Sequence, residues 1–254
     1  MSYRLDFIRE EDFEKLTEFT LKKYKERLSS IDLKSFNHNS IDPIKLLFDK
    51  SIINESFDNI IEQEIIRQRD KSNNNLIGYF HQNLFKYIEN CEVPDEGWDI
   101  IYRNPDNKKT YYVELKNKHN TMNSSSSRAT YIRFQNKLLQ NNTEESICAL
   151  VEVIARKSQD IPWVITIDKI KQEPISELRR ISIDKFYEIV TGNPYAFRDL
   201  CLQLPVTIEK ILNEHEEFIL EDDTVLEELD ELGNDKLLSL YKLAFSTYEG
   251  FDQL

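Results

Sequence analysis

Three residues of this chain could together perform metal-dependent phosphodiester chemistry, namely Asp99, Glu114 and Lys116. Two carboxylates about 5 Å apart in a partly dry site repel one another unless a cation lies between them. Magnesium suits such a pair, because it prefers oxygen ligands and needs only one or two protein carboxylates. The residue types therefore predict a Mg²⁺ site whose ligands are Asp99, Glu114 and the backbone carbonyl of Leu115.

The segment between the two acids has the pattern of a β-hairpin. Strands are predicted at 99–103 and 110–116, and Asn-Pro-Asp-Asn at 104–107 supplies a turn with proline in its second position. Asp99 and Glu114 are equidistant from the centre of this turn, so a symmetric loop places them opposite each other. Glu114 and Lys116 are two residues apart and therefore project from one face of their strand. The hairpin should bring all three groups to one patch.

The expected task of Lys116 follows from its neighbours. Nearby carboxylates favour the charged form of a lysine, which makes Lys116 a poor general base. We therefore expect Lys116 to orient the attacking water and to stabilise the charge that develops on the phosphate. A metal ion held by Asp99 and Glu114 would polarise the scissile phosphate and lower the pKa of a bound water.

The distribution of charge supports a phosphate-binding site in this part of the chain. The net charge is −13, but residues 214–254 contain thirteen acidic residues against two lysines and so account for −11 of it. Residues 101–137 reverse the balance, with eight basic residues against two acidic ones. This matters because a Glu-x-Lys pair alone is weak evidence, since charged residues commonly alternate on the solvent face of a strand. A basic segment beside the pair is what phosphate binding requires.

Six residues near the hairpin are candidates for contacts with DNA phosphates or base edges. They follow the second strand or recur along the helix predicted after it, and they are Lys118, Asn120, Asn123, Arg128, Arg133 and Lys137. Solvated loop residues and ordinary surface charge explain these positions about equally well.

Composition indicates a globular α/β protein. No window approaches the roughly 18 apolar residues of a membrane helix, and the start of the sequence lacks the plan of a signal peptide, so we expect a cytoplasmic protein with no membrane partner. The three cysteines have no spacing typical of zinc or redox sites. The predicted organisation is a mainly helical region 1–90 and a catalytic core 91–192, together a single domain, followed by a helical, acidic C-terminal extension 193–254.

Hydrophobic periodicity predicts a mixed β-sheet flanked by helices. The predicted helices span 11–26, 43–49, 56–70, 76–89 and 185–190, with a polar break at 71–75, and the polar stretch 120–127 caps a further helix that runs to about residue 140. The predicted strands beyond the hairpin span 146–155, 163–167 and 180–183. Further helices follow, broken at Pro194, Pro205 and Gly233. Glu152 lies within the apolar strand 146–155, so we expect it to form a structural pair with a lysine or arginine.

Several segments resemble a family of type II restriction endonucleases that cut GGNCC-type sites, within the wider PD-(D/E)XK class. The resemblance is carried by Val-Pro-Asp-Glu-Gly-Trp-Asp at 93–99 and Val-Glu-Leu-Lys-Asn-Lys-His-Asn-Thr-Met-Asn-Ser-Ser-Ser at 113–126, and further by 41–45, 75–82, 151–155 and 180–192. It covers roughly residues 5–215. The acid of the class motif matches by role at Asp99, whereas Asp95 is a literal match at a less suitable spacing.

The resemblance implies a restriction-endonuclease-like fold and Mg²⁺-dependent cleavage of double-stranded DNA that leaves 5′ phosphates. It also implies a homodimer acting on a short palindromic site and a partner DNA methyltransferase. An acid on an early helix often supports the metal site in this class, and Glu64 is the candidate here, although an exposed charge is the plainer explanation.

Two other functions remain open at the level of sequence. A DNA repair or junction nuclease could use the same catalytic core, and a DNA-binding protein without catalytic activity could carry Glu-Leu-Lys as a simple strand face. Discrete plasmid fragments would identify the restriction enzyme, whereas structure-dependent nicks or binding without cleavage would identify the alternatives.

Overall fold

The computed structural model describes residues 3–28, 31–38, 41–140, 145–214 and 223–246. The chain divides into two compact units. Unit 1 comprises residues 1–20 and 75–215, and unit 2 comprises residues 21–74 and 216–254. The helices are α1 Glu10–Leu28, α2 Leu33–His38, α3 Pro43–Ile53, α4 Phe57–Leu84, α5 Ser124–Gln140, α6 Ile183–Thr191, α7 Ala196–Glu214, α8 Val225–Leu232 and α9 Lys236–Ala244, with a 3₁₀ turn at Phe85–Tyr87.

Unit 1 is built on a six-stranded mixed sheet. The strands are β1 Cys91–Glu92, β2 Ile100–Arg103, β3 Thr110–Lys118, β4 Ser146–Ile154, β5 Asp160–Pro162, β6 Thr166–Ile167, β7 Ile170–Lys171 and β8 Leu178–Ser182. The six-stranded sheet has the order β1-β2-β3-β4-β8-β5, and β6 and β7 form a separate ribbon. β4 pairs in parallel with β3 and β8, whereas the other pairs are antiparallel. This architecture confirms the predicted fold class.

The two faces of the sheet carry different cores, and this fixes where polar side chains of β3 can go. Val113 and Leu115 belong to a core that also includes residues of α4, α6 and α7. On the opposite face, Leu150 packs with Tyr131 and Phe134 of α5. Because side chains alternate along a strand, Glu114 and Lys116 lie on the α5 face.

Unit 2 has a hydrophobic core of its own. It contains buried residues of α2, α3, α4, α8 and α9: Leu33, Phe36, Ile41, Leu46, Ile60, Ile61, Ile65, Val225, Leu229 and Leu240. Helix α3 begins as predicted, with Pro43 in its first turn and the Asp42 carboxylate accepting a hydrogen bond from the Lys45 backbone N–H at 3.0 Å. The helix is longer than predicted and runs to Ile53.

Three predicted element boundaries are wrong. Helix α4 is continuous through the polar segment 71–75. That segment contains no glycine or proline, and each of its asparagines costs a helix less than about 1 kcal/mol. Helix α7 passes through Pro205, and its buried residues Leu200 and Ile211 offset the lost backbone hydrogen bond. The predicted strand 163–167 begins instead as a loop, in which buried Trp163 packs between Tyr131 and Phe134 of α5.

No helix among the described residues is long and apolar enough to cross a membrane. The proposed boundaries after residues 90 and 192 stay predictions. Six acidic residues near the C-terminus lie outside the described part of the chain: Glu216, Glu217, Glu221, Asp222, Glu249 and Asp252.

Candidate active site

The hairpin closes in the predicted register. Ile100 of β2 pairs with Val113 of β3, and the Asp99 N–H donates a hydrogen bond to the Val113 carbonyl at 3.0 Å. The next position along the ladder therefore places Asp99 opposite Glu114. In the connecting loop, the Asn104 side chain accepts a hydrogen bond from the Asp106 N–H at 2.9 Å, which is the turn chemistry that the sequence suggested.

Asp99 is fixed by the backbone of the neighbouring strand. Its Oδ2 accepts a hydrogen bond from the Leu115 N–H at 2.7 Å. Burial raises the pKa of this carboxyl above its usual value, and the Glu114 charge adds to the effect, while the Leu115 hydrogen bond and the charges of Lys116 and Arg133 oppose it. A carboxylate held in this way favours a nearby cation.

Glu114 lies between two basic side chains. Its Oε1 accepts from the Lys116 Nζ at 2.6 Å, and its Oε2 pairs with the Arg133 guanidinium. Burial alone would raise the pKa of Glu114, but hydrogen bonds and charge from Lys116 and Arg133 outweigh burial and lower it. Glu114 is therefore ionised at any pH at which the protein would be expected to work.

Arg133 is the residue of α5 that enters the site. Besides its pair with Glu114, it donates to the Gly97 carbonyl at 3.2 Å and lies over the Trp98 ring at 4.5 Å. The sequence predicted Arg133 as a DNA contact through its helical spacing. The sequence did not predict the pair of Arg133 with Glu114, because that pair depends on the packing of α5 against the sheet.

Gln82 is a site residue that the sequence pattern did not select. It lies on α4, and its Nε2 donates to the Asp99 carbonyl oxygen at 3.2 Å. Its place within the resembling segment 75–82 pointed to it, but a glutamine on a helix is more often a surface amide. The bond ties the backbone at Asp99 to helix α4.

The other candidate DNA contacts have varied surroundings. Asn123 caps α5, with its Oδ1 accepting from the Ser126 N–H at 2.8 Å. Arg128 pairs with Asp168 at 2.9 Å, and the Lys137 Nζ lies 4.1 Å from the centre of the Tyr112 ring. Two more candidates follow the site directly: Lys118, exposed at the end of β3, and Asn120, exposed in the loop after it.

Glu64 and Asp95 have surroundings of their own. Glu64 belongs to unit 2, is buried, and accepts hydrogen bonds from Arg67 at 2.6 Å and Gln68 at 3.3 Å. Its role as a metal ligand stays a prediction. Asp95 is exposed in the loop before β2, so the contact with Leu115 favours Asp99 as the acid of the site.

The donor set fits a hard divalent cation. Asp99 and Glu114 are adjacent carboxylates, and the N–H and C=O of a strand residue face the same side, so the Leu115 carbonyl lies on the side of Asp99. Two carboxylates and a backbone carbonyl suit a cation such as Mg²⁺, which completes its shell with water and phosphate oxygens.

The chain is similar to known proteins over most of its length. A family model described as the Eco47II restriction endonuclease matches residues 5–213. The type II restriction enzyme Sau96I of Staphylococcus aureus is 31% identical over 212 residues, which cover 81% of this chain and 80% of that protein. The type II restriction enzyme Eco47II of Escherichia coli is 28% identical over 216 residues, covering 83% and 89%. The predicted class, a type II site-specific deoxyribonuclease, is thereby confirmed, and the chain belongs to the Eco47II restriction endonuclease family.

Proposed function

We propose that this protein is a cytoplasmic type II restriction endonuclease that makes Mg²⁺-dependent double-strand cuts at a short palindromic GGNCC-type site and leaves 5′ phosphates. The observation that carries the proposal is the convergence of Asp99, Glu114 and Lys116 on one face of the β2–β3 hairpin. We further propose that it acts as a homodimer and that a DNA methyltransferase protects the same sites in the host.

The proposed metal ligands are Asp99, Glu114 and the Leu115 carbonyl. A magnesium ion bound there would neutralise charge on the scissile phosphate and activate a water molecule. The hydrogen bond from the Leu115 N–H holds Asp99 in place before any ligand arrives. Glu64 stays the candidate for an additional ligand, and Arg67 and Gln68 donate hydrogen bonds to its carboxylate.

Lys116 has the freedom that its proposed task requires. Its side chain is 31% exposed, and its only described partner is Glu114. As an ammonium group it can donate to the attacking water and to a phosphate oxygen, so that it orients one and stabilises charge on the other.

The basic residues around the hairpin supply the proposed DNA contacts. Arg133 can exchange its carboxylate partner for a DNA phosphate, since guanidinium groups match both geometries. Lys118, Arg128 and Lys137 would add phosphate contacts along the same region, and Asn120 and Asn123 are the proposed amide contacts.

Digestion of a sequenced plasmid with Mg²⁺ tests the proposal. Mapping of the fragment ends should return one short palindromic sequence of the GGNCC type. The fragments should be ligated without prior kinase treatment, because ligase needs 5′ phosphates. Nicks that depend on branched or damaged structures would favour a repair or junction nuclease instead. Binding of DNA with no cleavage in Mg²⁺ or Mn²⁺ would favour a protein without catalytic activity.

A further inference from the structure

A polar pocket of about 400 Å³ opens on the α5 face of the sheet, beside the candidate active site. Its walls come from the end of β4, from β8, from the loop after β3 and from the loop that follows β5. The side chains that matter for its chemistry are those of Glu152, Arg180, His119, Asn120, Arg156 and Trp163. A volume of this size suits one nucleobase or a comparably small polar group.

The pocket contains a rigid ion pair. Glu152 is 2% exposed, and its two oxygens accept from the Arg180 Nε at 3.0 Å and from the Arg180 Nη2 at 2.6 Å. This confirms the structural pair expected for Glu152. Because both bonds use one edge of the guanidinium, the plane and direction of Arg180 are fixed.

The fixed pair leaves a second edge of Arg180 available. The remaining hydrogens on Nη1 and Nη2 have no acceptor within the described residues, although the side chain is only 30% exposed. Two parallel N–H donors at this spacing match the O6 and N7 acceptors of guanine in the major groove. A buried acid that orients an arginine reduces the entropy lost when the arginine binds a base.

The pocket lies next to the groups proposed for catalysis. Lys116 of β3 and Glu152 of β4 are direct partners in the parallel ladder, so their side chains leave the same face of neighbouring strands about 4.8 Å apart. DNA bound at Lys116 would thus present a nearby base to Arg180.

His119 adds a second observation that points to a ligand. Its Nδ1 is shielded from solvent and has no hydrogen-bond partner among the described residues. Such a group loses free energy unless a ligand or water satisfies it. Asn120 and the exposed Arg156 line the same opening and could contact the neighbouring base or phosphate.

We propose that Arg180, oriented by Glu152, reads a guanine of the DNA site through the pocket beside Lys116. This inference rests on the proposed function and deepens it by assigning a specificity-determining residue. Glu152 is a positioning residue in this scheme, because it acts only through the direction that it gives Arg180.

The test measures how much each guanine of the site contributes to DNA affinity, in protein with Arg180 and in protein without it. Duplexes containing the mapped site carry 7-deazaguanine, which lacks the N7 acceptor, at one guanine at a time. Binding is measured by fluorescence anisotropy in Mg²⁺, with Lys116→Ala protein to prevent cleavage. Roughly tenfold weaker binding is expected for the guanine that is read. In the double variant Glu152→Gln, Arg180→Gln that penalty should vanish, while the penalties at other guanines should persist.

Two results would overturn the assignment. If the double variant weakens binding but retains the penalty at every guanine, Arg180 contacts phosphate or serves only the fold. If no guanine penalty is found in the Lys116→Ala parent although the site is cleaved by the unmodified protein, this pocket does not read guanine by N7. Absence of any sequence-specific binding or cleavage is a different result, since it removes the proposed function itself.

Three controls separate recognition from folding. The double variant replaces the ion pair with two amides and leaves no unpaired charge at buried Glu152, and thermal unfolding should confirm that it is folded. Arg180→Lys keeps a cation that can still donate to guanine, so it should retain part of the single guanine penalty. Arg179→Lys is the matched control, because Arg179 pairs with Asp160 at 2.8 Å and lies on the opposite face of β8. It should retain every penalty.

Discussion

Two neighbouring carboxylates of the site have pKa values displaced in opposite directions. Burial dominates at Asp99, whose single close hydrogen bond comes from a backbone N–H, and raises its pKa. Glu114 is also buried, but Lys116 and Arg133 bond to its two oxygens and lower its pKa. The contrast arises from the partners, because both acids belong to the same hairpin. In the absence of a metal, Asp99 is therefore the less favourable of the two charges.

The raised pKa of Asp99 predicts a stabilising substitution. Asp99→Asn removes a carboxylate that is easier to ionise in the unfolded chain than in the folded one, so it should raise the free energy of unfolding at neutral pH. This gain in the free energy of unfolding should be complete above the pKa that Asp99 has in the folded protein. It should disappear as the pH falls below about 4, where Asp99 is protonated in both the folded and the unfolded state. Urea unfolding of metal-free protein at several pH values measures it.

Added Mg²⁺ gives a second test of the role of Asp99. Added Mg²⁺ should stabilise the wild-type protein and should have much less effect on Asp99→Asn, because one ligand is missing. A variant that is less stable than wild type at neutral pH would show that the Leu115 hydrogen bond outweighs the burial of the charge.

Loss of either charged group of the Glu-x-Lys pair should abolish cleavage. Glu114→Ala removes a proposed metal ligand and Lys116→Ala removes the proposed organiser of the attacking water, so each should reduce the cleavage rate by on the order of 10³-fold or more. Plasmid digestion measures the rate, and circular dichroism checks that each variant is folded. Lys86→Ala, which changes an exposed lysine of the same unit, is the control. Cutting by either purified variant at the wild-type rate would contradict the assignment.

At the scale of elements, local patterns predicted what local physics controls. The hairpin followed from strand parity and a proline turn, and the central strand β4 followed from a near-continuous apolar run. The first seven residues of β4 are buried. Helix α6 ends at Gly192, whose φ of +72° is accessible to glycine at little cost. These features depend on residues within a few positions of each other.

The features that the sequence did not predict all depend on tertiary packing. The segment after Pro162 has the composition of a strand, but Trp163 is more fully buried against α5 than a continued edge strand would allow. Gln82 joins the site through the fold of α4, and no local pattern could show its contact with Asp99. The direction of Arg180 likewise depends on pairing between β4 and β8.

Helix α5 begins at a cap whose structural role can be separated from a role in DNA binding. Asn123→Ala should lower the free energy of unfolding by about 1 kcal/mol, because the Ser126 N–H loses its acceptor. Asn123→Ser keeps a capping oxygen and should retain stability, but it removes the proposed amide contact and should therefore bind DNA more weakly. If Asn123→Ser is stable and binds DNA as tightly as the wild-type protein, Asn123 serves only as the helix cap.

At the scale of the whole molecule, the palindromic site proposed for this family requires two active sites. A homodimer with twofold symmetry provides them, and sedimentation should give twice the chain mass of 30.2 kDa. Such a dimer cuts both strands in one binding event, so supercoiled plasmid should become linear with little nicked intermediate. A monomer that accumulates nicked circles would contradict the dimer.

The pairs that Arg133 and Lys116 form with Glu114 have a thermodynamic consequence. Lys116 and Arg133 act as counter-ions of the Glu114 carboxylate. A divalent cation that binds Glu114 therefore displaces these two basic side chains, and each of them loses its partner. DNA phosphates offer the displaced groups a new one. Metal and DNA should therefore bind with positive coupling, each increasing the affinity for the other by the same factor. An isolated protein with weak affinity for magnesium would then be fully compatible with an efficient enzyme on its substrate.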